Sequence, residues 1–136
     1  VRAEKAFGED IPFKNRMFGG AFILFTLCFA ARPEAMVSEA ARVLKPGGGL
    51  ILGIINKTSS WGKFYEQKKT EEHPIYKYAT FYSIEEAEKM IVMAGLQIAS
   101  YSSTLYQSPT GPHYRETSTY EKGQDAGFVC ILANKP

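Results

Sequence analysis

Cysteine is scarce in this chain, and the two that are present, Cys28 and Cys130, stand in separate apolar runs. Their spacing fits neither a zinc motif nor a redox pair, so each reads as a small buried hydrophobe. Histidine is equally scarce. His73 and His113 do not make a metal site, alone or paired. An excess of one charge is also lacking: 16 Lys and Arg against 14 Asp and Glu leave a formal net charge of +2. That balance implies neither nucleic acid nor an anionic membrane as a partner. The densest cationic run, Lys68-Lys69, is followed by Glu71 and Glu72. The apolar run Ala21–Ala31 is too short to span a bilayer, and it lacks the basic flank and cleavage region of a signal peptide. A cytoplasmic setting is the expectation. There is no internal repeat and no low-complexity tract.

What remains is an ordinary foldable chain. Hydrophobic residues make up 45% of the 136 and charged residues 22%, which argues against disorder and for one domain over residues 1–136. Val1–Phe7 reads as a short strand or the frayed remainder of one, and Gly8–Met17 as a loop. Ala21–Phe29 is nearly continuous in Phe, Ile and Leu, the pattern of a strand buried on both faces. Pro33 suits a first helical position, and Met36, Val37, Ala40, Val43 and Leu44 then recur at helical spacing, so Pro33–Leu44 is predicted as an amphipathic helix. Pro46 and Gly47 fit the centre of a type II turn. Leu50–Ile55 is a second buried strand, parallel to the first with a right-handed crossover.

The stretch Asn56–Tyr82 is less regular, with a helix expected over Ser60–Lys69 and a break at His73-Pro74. Ser83 with Glu86 three residues on is a capping box; Ala87, Met90, Ile91 and Ala94 form the stripe of the helix it opens, and Gly95 stops it. Leu96–Leu105 and Gly127–Ala133 read as strands with no helix between them, hence antiparallel partners. The polar connection Gln107–Ala126 is long for a compact domain. The fold class is therefore α/β: a mixed sheet with parallel central strands and a C-terminal antiparallel hairpin.

Several of these segments resemble a known family. Gly8-Glu9-Asp10-Ile11-Pro12-Phe13 is similar to the A-E-x-L-P-F segment of the ubiquinone/menaquinone-type methyltransferases, and Arg42-Val43-Leu44-Lys45-Pro46-Gly47-Gly48 is similar to their R-V-L-K-P-G-G turn. Phe18 stands where that family begins a strand with F-D, although Gly19 replaces the aspartate. The spacing matches along nearly the whole chain. The resemblance implies a partial Rossmann-like fold of class I S-adenosylmethionine-dependent methyltransferases, with about seven strands in the complete fold and helices on both faces. It implies a small-molecule methyl acceptor and S-adenosylmethionine as cofactor. The family's glycine-rich turn, which packs against the cofactor's methionine part, has no counterpart among these residues. Gly47-Gly48-Gly49 precedes a strand instead of joining a strand to a helix. Val1 corresponds to about the third strand of the family, so the expectation is a truncated methyltransferase-like domain that is inactive by itself.

By position, the resemblance assigns Phe7, Gly8, Glu9 and Asp10 to the adenine side of the cofactor, and Leu24, Phe25 and Thr26 to the wall beside its methionine part. Glu9 and Asp10 read equally as solvated loop residues. Trp61, Tyr65, His73, Tyr76 and Phe81 fall in the region that in the family lies over the active-site mouth and selects the acceptor. A concave apolar pocket would suit them, and so would a plain aromatic cover for the sheet. His73 has no residue placed by sequence to orient it as a base, so a surface histidine is the plainer reading. No catalytic acid or base is expected, because methyl transfer from a sulfonium mainly needs alignment of the acceptor.

Two functions from different classes follow. One is a methyltransferase whose complementary N-terminal half comes from elsewhere. The other is a non-catalytic, self-associating module. In the family's sheet the strand near Ala21–Phe29 pairs with the first strand, so here its edge and apolar face are left open. A homodimer joined at that edge is the simplest way to cover them.

Overall fold

The computed structural model describes residues 1–136. The elements run β1 (Phe18–Leu24), α1 (Pro33–Val43), β2 (Leu44–Ile55), α2 (Ser60–Thr70), α3 (Ile84–Met93), β3 (Gln97–Thr104) and β4 (Phe128–Asn134), with short 3₁₀ turns at Leu27–Phe29 and Tyr76–Tyr78. They form one four-stranded sheet in the order β1-β2-β4-β3. The β1–β2 pair is parallel and the two pairs made by β4 are antiparallel. This is the expected mixed α/β sheet. The last strand lies inside it, between β2 and β3, and β1 is an edge.

Alternation along the strands selects the core face. Leu50, Leu52 and Ile54 of β2 and Val129, Ile131 and Ala133 of β4 are buried, and they meet Met36, Val37, Ala40 and Ala41 of α1 and Ile84, Ala87, Met90 and Ile91 of α3. Both helices therefore cover one side of the sheet. The opposite side carries half-buried Ile51, Cys130 and Leu132, so helices on both faces, implied by the resemblance, are not found within these residues.

Local signals are realised at the predicted places. Ser83 Oγ accepts from the Glu86 N–H while the Glu86 carboxylate accepts from the Ser83 N–H, the reciprocal capping box. Pro33 opens α1. Gly47 has φ +80°, the left-handed conformation the turn requires, in residues that bulge out of the β1–β2 ladder between its Leu44 and Gly49 pairings. The two family-like motifs touch. Arg42 donates to the Phe13 and Ile11 carbonyls and to both oxygens of Glu39, and Glu39 accepts from the Ile11 N–H. The Arg42 guanidinium, its closest partner, holds the Glu39 carboxyl below the usual range. This clamp fastens the Ile11–Phe13 loop to α1.

Three expectations are corrected. Val1–Phe7 is not a strand; it is exposed, with one isolated bridge from Phe7 to Asp10. The first strand starts three residues earlier than Ala21 and ends at Leu24 instead of Phe29, because Phe25 turns to φ +53° and a 3₁₀ turn follows. Nor is that strand buried on both faces: Ile23 alone is buried, while Phe22 is 69% exposed. Sequence cannot distinguish an apolar edge strand from a central one, since the difference lies in the neighbours.

Candidate functional site

The strands β1, β2 and β3 end on one border of the sheet, where β4 begins. In open α/β sheets this carboxyl border is where ligands bind. Here it holds a cavity of about 220 Å³. Phe25 just after β1, Ile55 ending β2, Leu105 just after β3 and Phe128 opening β4 supply its sheet side. Trp61 and Tyr65 of α2, with Ile75 and Tyr76, supply the cover.

The geometry of this wall depends on close approach. Phe25 stacks on Phe128 with centroids 4.6 Å apart and planes 16° from parallel. A Cβ on Gly53 would come within 2.8 Å of both Leu24 and Phe128 side-chain atoms, and one on Gly127 within 2.4 Å of the Trp61 ring. Two of the lining residues, Phe25 (φ +53°) and Leu105 (φ +62°), hold left-handed backbone that bulky residues rarely adopt. Such conformations persist only where surrounding contacts hold them, and they cluster at functional sites. At Phe25 the N–H donates to the Gly53 carbonyl; at Leu105 the carbonyl accepts from the Gly127 N–H.

The cover is fixed by hydrogen bonds. Buried Asn56 donates to the Gln124 and Ala126 carbonyls and accepts from the N–H and hydroxyl of Thr58. Ser59 caps α2 by accepting from the Gly62 N–H. The Trp61 indole donates to the Gln107 carbonyl at 2.8 Å, and His113 lies against the Trp61 ring with centroids 5.7 Å apart. The long polar connection therefore folds onto the aromatic cover. Its Gln107 side chain pairs reciprocally with the Tyr114 backbone, and the Gln107 N–H donates to Glu116.

Of the five residues expected at the acceptor side, Trp61, Tyr65 and Tyr76 line the cavity. Phe81 is buried beneath, 6.1 Å from the Tyr65 ring. His73 lies outside the lining; its Nδ1 accepts from the Ile75 and Tyr76 N–H groups, which assigns the neutral ring proton to Nε2 and makes the residue a turn cap. Burial, and after it the adjacent Tyr76, push the Tyr65 phenol up, so it stays protonated at neutral pH.

The seven residues expected on the cofactor side divide. Phe25 belongs to the aromatic cavity, whereas Gly8 and Thr26 line an apolar groove on β1 and α1 with Ile11, Phe22, Ile23 and Met36. Leu24 is 41% exposed beside them. Glu9 Oε1 accepts from the Ala31 and Arg32 N–H groups ahead of α1, and its own backbone N–H first, then those of Arg32 and Ala31, lower its pKa. Asp10 is exposed, and Phe7 is 81% exposed. For S-adenosylmethionine, the cofactor of the resembling fold, these residues fit one apolar wall and not a full cradle, because the Glu9 carboxylate is already engaged.

The sequence reading missed Phe128, Leu105 and Ile55. Each ends, opens or directly follows a strand, and nothing in a one-dimensional pattern says that these ends converge. The positive φ at Phe25 and Leu105 left no trace in residue type.

Comparison with known proteins agrees with this geometry. Residues 1–52 match the methyltransferase domain family. An uncharacterised protein of Methanocaldococcus jannaschii is 38% identical over 128 residues, covering 94% of this chain and 61% of its own length. One from Mycobacterium tuberculosis is 34% identical over 134 residues, covering 98% and 47%. The crystal structure of a SAM-dependent methyltransferase from Thermotoga maritima, described as a possible histamine N-methyltransferase, superposes with a TM-score of 0.88 at 34% identity, over 98% of this chain and 63% of that one. The chain thus spans about half to three-fifths of the length of these relatives. No helix is long and apolar enough to cross a membrane. The sheet order, the aromatic cavity on its carboxyl border and these likenesses together give the chain the Rossmann-like fold of class I S-adenosylmethionine-dependent methyltransferases.

Proposed function

We propose that these residues form the acceptor-binding part of an S-adenosylmethionine-dependent methyltransferase acting on a small molecule. The observation that carries this reading is the aromatic cavity walled by Phe25, the residue that directly follows β1, the strand expected on the cofactor side. A bound cofactor would supply an electrophilic methyl group; this chain's residues would exclude water and orient the acceptor. The likeness to the Thermotoga maritima methyltransferase, described as a possible histamine N-methyltransferase, supports this reading.

The 136 residues by themselves are proposed not to turn over, since they supply one wall for the cofactor. With millimolar S-adenosylhomocysteine, amide NMR shifts are expected at Gly8–Asp10 and Leu24–Thr26 and not elsewhere. No shift there would sink the methyltransferase reading. Micromolar affinity by calorimetry would overturn the incomplete cradle.

A second reading, a self-associating module in the cytoplasm, is favoured by β1. Phe22 and Leu24 are 69% and 41% exposed on a strand whose outer edge pairs with nothing in the sheet, and Phe25 just beyond it is 55% exposed. The proposed occupant is a second copy of the chain, giving a homodimer; a complementary N-terminal half would cover the same edge. Sedimentation of a monodisperse monomer would exclude the homodimer.

A further inference from the structure

The cavity on the carboxyl border has a particular chemistry. No Asp, Glu, Lys, Arg or His lines it. Six of its lining residues are aromatic: Phe25, Phe29, Trp61, Tyr65, Tyr76 and Phe128. The Trp61 indole is already committed to the Gln107 carbonyl. The Phe25–Phe128 stack supplies a flat apolar wall. Opposite in kind are the phenols of Tyr65 and Tyr76, whose rings lie 4.6 Å apart. The two phenols act on each other through their hydroxyls, and no backbone group, carboxylate, amide or cation claims either one. The buried side-chain oxygen left without a partner is Glu116 Oε2, so these two hydroxyls are not sealed into the core. Both residues line the cavity.

From this we propose, resting on the methyltransferase reading above, that the cavity takes an uncharged ring-bearing acceptor whose single polar end is held by the Tyr65 and Tyr76 hydroxyls. A charged acceptor is disfavoured. Desolvating an ion in a cavity with no counter-charge is costly, whereas one neutral hydroxyl or carbonyl is satisfied by a phenol. Tyr65 holds its proton at neutral pH and can donate to such an oxygen. An ammonium would find aromatic faces but no carboxylate, so the class differs from the histamine named in the description of the Thermotoga relative. Tyr65 and Tyr76 are assigned as specificity-determining residues; they bind the acceptor's polar end.

Trp61 is the chain's single tryptophan and lies in the wall, so its emission excited at 295 nm reports occupancy directly. The 136-residue chain is titrated with four probes of one shape: toluene, benzyl alcohol, benzylammonium and benzoate. Benzyl alcohol is expected to bind tightest and the two ions weakest. Y65F and Y76F, singly and together, are expected to weaken benzyl alcohol about fivefold, the scale of one neutral hydrogen bond, and to leave toluene unchanged. Retained toluene binding shows that the variants fold, and the wild-type ranking stands as a test even if one variant does not. Benzylammonium or benzoate matching benzyl alcohol would overturn the proposal, as would no response of Trp61 to any probe, or Tyr→Phe variants that keep the wild-type preference for alcohol over toluene. Cofactor shifts at Gly8–Asp10 together with such a failure would leave the methyltransferase reading intact and remove only the acceptor class.

Discussion

The central strand β2 has two neighbours, and they differ sharply. Against β4 the pairing continues from Gly49–Asn134 to Ile55–Phe128, with Val129, Ile131 and Ala133 fully buried. Against β1 the ladder breaks at a bulge, and of the seven residues in that strand one is buried. Both strands are apolar in composition. What differs is coverage: β4 has a strand on each side and helices over one face, whereas β1 has a strand on one side only. Apolar sequence therefore marks capacity for burial, and neighbours decide whether it is used. On β4 it stabilises the fold; on β1 it remains available for association.

Mutations can break this contrast. Ile131→Ala should cost about 2–5 kcal/mol, the range for emptying a filled core site, read from the urea midpoint at constant m-value. An effect below about 1 kcal/mol would show that the β4 side is no better packed than the edge. Asn56→Ala comes next, at about 1–3 kcal/mol, because the Gln124 and Ala126 carbonyls lose their donor. It should also red-shift Trp61 emission, since Asn56 fixes the segments around α2.

A smaller effect is expected on the α1 side of the sheet from pH. The Glu39 carboxyl is held low by Arg42, so its folded state binds a proton less readily than the unfolded chain. Its stabilisation is complete above the ordinary carboxyl range and is lost as the pH falls through the lowered folded value. Glu39→Gln should flatten that part of the pH dependence of the urea midpoint. Phe22→Lys should be the mildest for stability, within about 0.5 kcal/mol for a surface site. In sedimentation it should nevertheless shift any dimer to monomer, and an unchanged dimer would place the interface away from β1.

Much of the local structure was legible in the sequence. The capping box at Ser83 and Glu86, the Pro33 helix start, the Gly47 turn and the stripe Ala87, Met90 and Ile91 all depend on residues close along the chain. The site was legible in part. Trp61, Tyr65 and Tyr76 stood out as an aromatic cluster, and Phe25 through its place in the resembling fold. His73 was set near them by position, yet its ring caps a turn; which neighbour a side chain meets depends on how the segment bends. Leu105 and Phe128 carried no signal, since their importance comes from where strands stop.

The sequence by itself determined the helices and the order of the main strands along the chain, though not the bounds of β1 or the fate of Val1–Phe7, because capping, periodicity and turn chemistry act over a few residues. It also determined that the chain is α/β and resembles a methyltransferase, because its spaced motifs preserve the order of elements. The tertiary structure alone decided that β4 enters between β2 and β3, that β1 is an exposed edge, and that four strand ends and α2 enclose an uncharged aromatic cavity. Those outcomes depend on contacts between residues far apart along the chain, where close approach and burial, not local preference, set the free energy.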